Sequence, residues 1–91
     1  MTPEQQACWD AALLIERYGW IQHQAGSMRR GFCMSGAIDA SRASFDATSA
    51  ARKLLFELLR CQSAITWNDT PYRTAEEVID ALVIASQWEE S

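Results

Sequence analysis

Apolar side chains recur every three or four positions over most of this chain, and no segment of useful length alternates apolar and polar residues. The first pattern is typical of amphipathic helices, whereas alternation is typical of half-buried strands. Fourteen alanines and few β-branched runs also favour helix over strand. The sequence therefore predicts an all-α fold, and 91 residues leave room for a single helical domain over residues 1–91.

The predicted fold is a compact bundle of about four helices, three long and one short. Capping boxes mark the starts of the first and last helices: Thr2 pairs with Gln5, and Thr74 pairs with Glu77. Gly19 is a typical stop signal for the first helix. These signals mark the start and the end of a long helix in the first part of the chain and the start of another in its last part.

Two further helices are predicted in the middle of the chain. A short one covers about residues 33–43, and a long one begins at Ser44 or Asp46 and ends near Gln62. Connections this short favour antiparallel neighbours in a bundle. The segments rich in Gly, Ser, Asn, Asp and Pro are interpreted as loops: residues 20–31 and 66–73.

Several large apolar residues fall outside the core-facing stripes of these helices. A helix that packs on one face does not need them, so they either complete the core or form an oligomer interface. Symmetric pairing is the commonest way to cover such faces, and a homodimer is one expected arrangement. The candidates for a protein-interaction surface are Trp9, Leu13, Phe56, Ile84 and Trp88.

The charge balance disfavours two classes of partner. Twelve acids face seven Arg and one Lys, a net charge of −4, whereas nucleic-acid-binding domains are usually basic. The longest apolar runs span five residues, against roughly 20 for a membrane-spanning helix. We therefore expect neither a nucleic-acid nor a membrane partner; the basic residues of a local patch would be Arg29, Arg30, Arg42, Arg52 and Lys53.

Cysteine usage indicates a reducing compartment. Cys8, Cys33 and Cys61 are odd in number and irregularly spaced, which is a poor disulfide framework. No CxxC motif or Cys/His cluster is present, so we expect no metal site and no cofactor. The start of the chain does not look like a secretory signal. A cytoplasmic location is therefore expected.

Cys33 and His23 form the one thiol–imidazole pair that could carry chemistry. A catalytic cysteine needs a base within hydrogen-bond reach and surroundings that favour the thiolate. The predicted position of Cys33, near the start of a short helix, suits this role. A chain of 91 residues leaves little room for a substrate cleft, so no catalytic residue is assigned and the thiol site is kept as an alternative.

Three blocks of residues carry a resemblance to a known family: IERYGWIQ at 15–22, GFCMSGAI at 31–38 and WNDTPYRTAEEV at 67–78. On these blocks, residues 14–85 resemble an uncharacterised family of small actinobacterial and actinobacteriophage proteins. Its members commonly have Gly where this chain has Tyr72, and Leu where it has Met34. The resemblance implies an all-α protein, in the host cytoplasm if phage-encoded, and implies no reaction.

The blocks fall at predicted helix ends and loops, where helix propensity does not require them. One interpretation is a structural corner, in which Asn68 or Asp69 accepts hydrogen bonds from backbone at the start of the next helix, and Trp67 packs over Trp20. The other is a shared groove that exposes contact residues. The residues concerned are Trp20, Gln22, Cys33, Trp67, Asn68, Asp69 and Arg73.

Two functions are consistent with these observations. The leading one is a small non-enzymatic protein-interaction module that acts on a host protein or by self-association. The alternative is a small-molecule-binding domain or thiol-dependent enzyme that uses Cys33 and His23. The alternative predicts a concave pocket that joins the three blocks.

Overall fold

Helices account for most of residues 1–88, the part of the chain that the computed structural model describes. A two-stranded antiparallel ribbon between the first two helices completes the regular structure of this part. The elements are α1 (Pro3–Tyr18), β1 (Gly26–Ser27), β2 (Gly31–Phe32), α2 (Met34–Ala40), α3 (Phe45–Leu59), α4 (Ala64–Asn68) and α5 (Ala75–Gln87).

The long helices begin where the sequence predicts. Both capping boxes form, one at Thr2 and one at Thr74. Of the two residues considered for the start of α3, Ser44 is the cap: its hydroxyl accepts a hydrogen bond from the Ala47 backbone N–H at 3.1 Å. Side-chain caps satisfy backbone donors that the first turn of a helix leaves free, which fixes these helix starts.

Helix α1 is the centre of the bundle and contacts α2, α3 and α5. The side-chain amide of Gln5, at the start of α1, donates to the backbone oxygen of Trp88, at the end of α5, so these two helices are antiparallel. Alanines at the contacts allow the helices to approach closely. The largest fully buried apolar side chains are Ile15, Met34, Ile38, Leu55, Val78 and Leu82.

The β1–β2 ribbon begins in the predicted loop at residues 20–31 and ends one residue beyond it; Gly26 pairs with Phe32 and Ser27 with Gly31. Gly31 has a φ of +92°, and a Cβ there would lie 2.7 Å from the Gly19 carbonyl oxygen. The ribbon therefore depends on a glycine at this position. Strands of two residues have no alternation for a sequence pattern to reveal.

The predicted connection at residues 66–73 overlaps a fifth helix, α4, so the expected count of about four helices is not exact. Ser63 caps α4 by accepting a hydrogen bond from the Thr66 backbone N–H at 3.0 Å. The Asn-Asp-Thr-Pro turn signal marks the end of this helix rather than a loop throughout. Five residues are too few to show helical periodicity, which is why the sequence pattern missed it.

Not all of the five apolar residues outside the core-facing stripes are buried in the core. Leu13, Phe56 and Ile84 are 48%, 51% and 53% exposed, whereas Trp9 and Trp88 are half-buried. No helix within residues 1–88 combines the length and apolar character needed to cross a membrane.

Two neighbouring residues of α3 test this division between core and surface. Leu55 is fully buried and Phe56 is half-exposed. Leu55→Ala should lower the free energy of unfolding by about 2–5 kcal/mol, because it leaves a cavity in the core. Phe56→Ala should change it by no more than about 0.5 kcal/mol. Urea unfolding followed by circular dichroism measures both, and equal losses would contradict the structure.

Candidate functional site

The side chain of Asn68, fully buried at the end of α4, joins three segments of the chain. Its Oδ1 accepts hydrogen bonds from the Trp20 indole Nε1–H at 2.6 Å and from the Met34 backbone N–H at 3.0 Å. Its Nδ2 donates to the Ile21 carbonyl oxygen at 3.1 Å and to Asp69 Oδ1 at 3.0 Å. Both donors and both lone pairs of the amide are thus used, and Asn68 ties α4 to α2 and to the loop after α1.

A second set of bonds surrounds this amide. Gln22 Nε2 donates to the backbone oxygens of Asn68 and Thr70, each at 3.0 Å. The His23 backbone N–H donates to Asp69 Oδ1 at 2.8 Å. The prediction that Asn68 or Asp69 accepts hydrogen bonds from backbone N–H groups at the start of the next helix is therefore wrong about the donors. The backbone donors belong to α2 and to the loop, and not to the start of α5.

The loop before the ribbon lies directly on α2. The Cys33 N–H donates to the Ala25 carbonyl oxygen at 3.2 Å, and a Cβ on Gly36 would lie 2.7 Å from the Ala25 carbonyl carbon. Cys33 also caps α2, since its Sγ accepts a hydrogen bond from the Gly36 backbone N–H at 3.2 Å. The absence of a side chain at Gly36 is what allows this contact.

A cavity of about 310 Å³ opens between this loop, α2 and α4, and we call it the α2–α4 cavity. It brings together groups from distant parts of the sequence, and its volume is at the lower end of the range for ligand pockets. Its lining includes residues of the second and third blocks, whereas the first block, which ends at Gln22, contributes none. Its lining residues are His23, Gln24, Ala25, Cys33, Ser35, Gly36, Asp39, Ile65 and Asp69.

The carboxyl group of Asp69 is held in its ionised form. Burial raises its pKa, but hydrogen bonds from the His23 N–H and from Asn68, together with the nearby imidazole, lower it more, and the net pKa lies below the usual 3.8. His23 Nδ1 lies 3.7 Å from Asp69 Oδ2. The cavity therefore carries a fixed negative charge at neutral pH.

The cysteines differ in their surroundings. Cys33 lines the α2–α4 cavity, as His23 does. Cys8 is fully buried in α1, and burial, with a smaller contribution from the charge of Glu4, raises the pKa of its thiol to about 12. Cys61 is half-buried beyond the end of α3. The cysteine that could meet a ligand is thus Cys33, and Cys8 is an inert core residue.

On another side of α4, Trp67 lines a shallow groove of about 320 Å³ between α3 and α5, which we call the α3–α5 groove. The Arg73 guanidinium carbon lies 3.8 Å from the centroid of the Trp67 ring, its Nε donates to the Trp67 carbonyl oxygen, and its Nη1 lies 2.9 Å from Glu77 Oε2. The ring is held in place by this cation–π contact. The groove is lined by Leu58, Leu59, Trp67, Glu77, Asp80, Ala81 and Ile84.

The five residues proposed from sequence as an interaction surface do not meet in one place. Ile84 lies in the α3–α5 groove, whereas Leu13 lines a separate depression on the α1–α2 side of the molecule. Phe56 is exposed on α3, and neither Trp9 nor Trp88 lines the groove. The groove instead combines Ile84 with Trp67, which sequence reasoning had placed among the block residues.

Sequence reasoning did not single out four residues of the cavity wall: Gln24, Ala25, Asp39 and Ile65. Ile65 belongs to α4, whose helical turn has no periodic signal. No sequence feature distinguishes Asp39 from other exposed acidic residues on short helices. Only the packing of α4 against α2 brings Asp39 and Ile65 together, so no local pattern could have found them.

The free energy of unfolding should depend strongly on Asn68. Asn68→Ala leaves the buried Met34 N–H and the partly buried Trp20 N–H and Ile21 carbonyl without partners. A fully buried group costs about 1–3 kcal/mol and a partly buried one less, so a loss of about 3–5 kcal/mol is expected. Gln22→Ala is the matched control, because its bonds are near the surface and should contribute about 1 kcal/mol. Chemical unfolding measures both variants, and similar losses would contradict the central role of Asn68.

Asp69 should make the protein sensitive to acid. Its folded-state pKa is below the usual 3.8, so its stabilising effect is complete above the unfolded-state pKa and is lost as pH falls through the folded-state pKa. Asp69→Asn should flatten the stability–pH curve in that acid range. Hydrogen bonding to Arg73 also lowers the pKa of Glu77, so Glu77→Gln is measured in parallel. An unchanged curve for Asp69→Asn would contradict the assignment.

The chain matches a known protein family over most of its length. Residues 1–87 match a family described as "Family of unknown function (DUF6197)". No curated protein and no solved structure matches the chain. Because the match covers nearly the whole chain, the protein belongs to DUF6197, a family of unknown function.

Proposed function

We propose that this protein is a small non-enzymatic interaction module, phage-encoded or actinobacterial in origin, that binds a partner protein through the α3–α5 groove. The observation that supports this most is the apolar wall of the groove. Ile84 is 53% exposed there, beside half-buried Leu58, Leu59 and Trp67. Single exposed apolar residues are ordinary on a protein surface, whereas contiguous ones mark interaction sites.

Trp67 and Arg73 add the chemistry of a binding hot spot, since Trp and Arg are enriched among the residues that dominate interface energetics. The stacking of Arg73 on the Trp67 ring and its ion pair with Glu77 orient both side chains before any partner arrives. Side chains that are already ordered lose less conformational entropy on binding.

The charge beside the groove favours a basic partner. Glu77 and Asp80 line the groove, Glu76 is exposed next to Glu77, and Arg73 offsets one of these three negative charges. A second copy of the chain would place the same acids opposite one another, and like charges across an interface are unfavourable. The occupant proposed is therefore an amphipathic helix of another protein, with apolar residues at helical spacing and Lys or Arg beside them.

A synthetic amphipathic helix of Leu and Lys, about five turns long, is the probe, and a Leu and Glu helix of the same pattern is its control. NMR titration should show shifts of the Trp67 indole N–H and the Ile84 amide with the basic helix only. Ile84→Ser should weaken this binding about 10-fold, from the apolar contact that it removes. Asp80→Lys should also weaken it.

Phe56→Ser is the matched control, because Phe56 is as exposed as Ile84 but lies outside the groove. Binding of the basic helix should be unchanged in this variant. Equal binding of the acidic helix, or equal weakening by Phe56→Ser, would show non-specific apolar adhesion and overturn the proposal. Self-association that Ile84→Ser abolishes, seen by sedimentation, would overturn the choice of a basic partner.

A further inference from the structure

The α2–α4 cavity and the α3–α5 groove use different faces of the same short helix. Ile65 lines the cavity and Trp67 lines the groove. Residues two apart in a helix point in nearly opposite directions, because each residue turns the helix by about 100°. A ligand in the cavity therefore does not occupy the groove.

We infer that the α2–α4 cavity binds a small organic cation, an ammonium or guanidinium group on a short apolar chain. The cavity of about 310 Å³ is large enough for such a group. Ala25, Gly36 and the 55% exposed Ile65 give it an apolar wall. The polar groups are gathered on the rest of its lining.

Two carboxylates line the cavity, and each has one oxygen already bonded. Arg52 Nη2 donates to Asp39 Oδ1 at 2.7 Å, and His23 and Asn68 donate to Asp69 Oδ1. The Oδ2 atoms of both carboxylates receive no hydrogen bond from residues 1–88. His23 Nδ1, at 3.7 Å from Asp69 Oδ2, is too distant to donate one. Two carboxylate oxygens are therefore left for a ligand.

The thiol of Cys33 supplies a further, weaker acceptor. Cys33 is 5% exposed, and its Sγ accepts one hydrogen bond, from the Gly36 N–H. Cys33 and the two carboxylates thus line the same cavity, and each can accept a hydrogen bond from an ammonium or guanidinium N–H. The buried thiol also gives the cavity a chemical reporter.

The charge of the lining selects a cation over an anion. No Lys or Arg is among the residues that line the cavity, and Arg52, which contacts Asp39 from α3, compensates one of the two carboxylates. His23 is the remaining basic group, and its side chain is 74% exposed. A metal ion is a poorer fit, because no group of three or more metal-ligating residues forms within residues 1–88.

Charge-selective modification of Cys33 tests this inference. The trimethylammonium-ethyl and sulfonato-ethyl methanethiosulfonates have the same reactive group and opposite charges. Each forms a mixed disulfide with the thiolate and releases methanesulfinate. The ratio of cationic to anionic rates, measured by mass spectrometry at each cysteine, should be about 10-fold higher at Cys33 than at Cys61.

Charge-neutralising variants test whether the two carboxylates cause the high ratio of cationic to anionic modification rates at Cys33. Asp39→Asn and Asp69→Asn should each bring the Cys33 ratio towards that of Cys61. Asp80→Asn, which removes a charge from the groove instead, should leave the ratio unchanged. A Cys33 that neither reagent modifies, or a ratio equal to that of Cys61, would overturn the inference, because the cavity would then be closed or without a negative field.

Competition identifies the source of the cation. Butylamine and butylguanidine stand for free ligands, and N-acetyl-lysine and N-acetyl-arginine methylamides stand for side chains of a bound peptide. Protection of Cys33 by the first pair alone indicates a free small molecule, and protection by the second pair alone indicates a partner's side chain. Protection of Cys33 by both pairs supports recognition of the ammonium or guanidinium group itself, whatever molecule carries it. Protection by none at about 1,000 times the reagent concentration would overturn the inference, since saturation shifts occupancy by mass action.

Discussion

The buried amide of Asn68 is the interaction on which the rest of this structure depends. It occupies the point where the loop after α1, the start of α2 and the end of α4 meet. It bonds Trp20 and Ile21 of the loop, Met34 of α2, and Asp69 just after α4. Buried polar groups without partners are strongly unfavourable. No apolar side chain at this position could receive two donors and serve an acceptor at once. The hydrogen bonds of Asn68 position one wall of the α2–α4 cavity and one wall of the α3–α5 groove.

The long helices could be predicted because their signals are local. The capping boxes at Thr2 and Thr74 and the apolar stripes of α1, α3 and α5 depend on neighbours three or four positions away. The ribbon and α4 could not be predicted, because two-residue strands and a five-residue helix are stabilised by contacts with distant segments. Their presence is a tertiary effect, and local propensity contributes little to it.

The candidate sites were predictable only in part, for the same reason. The resemblance drew attention to Trp67, Asn68 and Asp69, and the structure gives each a different environment: a groove, a buried corner and a cavity. Ile84 belongs with Trp67 because α5 packs beside the end of α3. The sequence positions of Ile84 and Trp67 give no indication that they lie side by side, and only the fold shows it.

The shortness of α4 has a consequence for motion. An isolated helix of five residues is far below the length that is stable in water, so α4 depends on its packing against α2 and α3 and on the bonds of Asn68. The bonds of Asn68 to Trp20 and Met34 span 48 and 34 residues. Residues 20–32 and 63–73 thus form one cooperative unit of local opening. Their amides should exchange hydrogen together, and the cavity and one wall of the groove disappear and reappear as a pair.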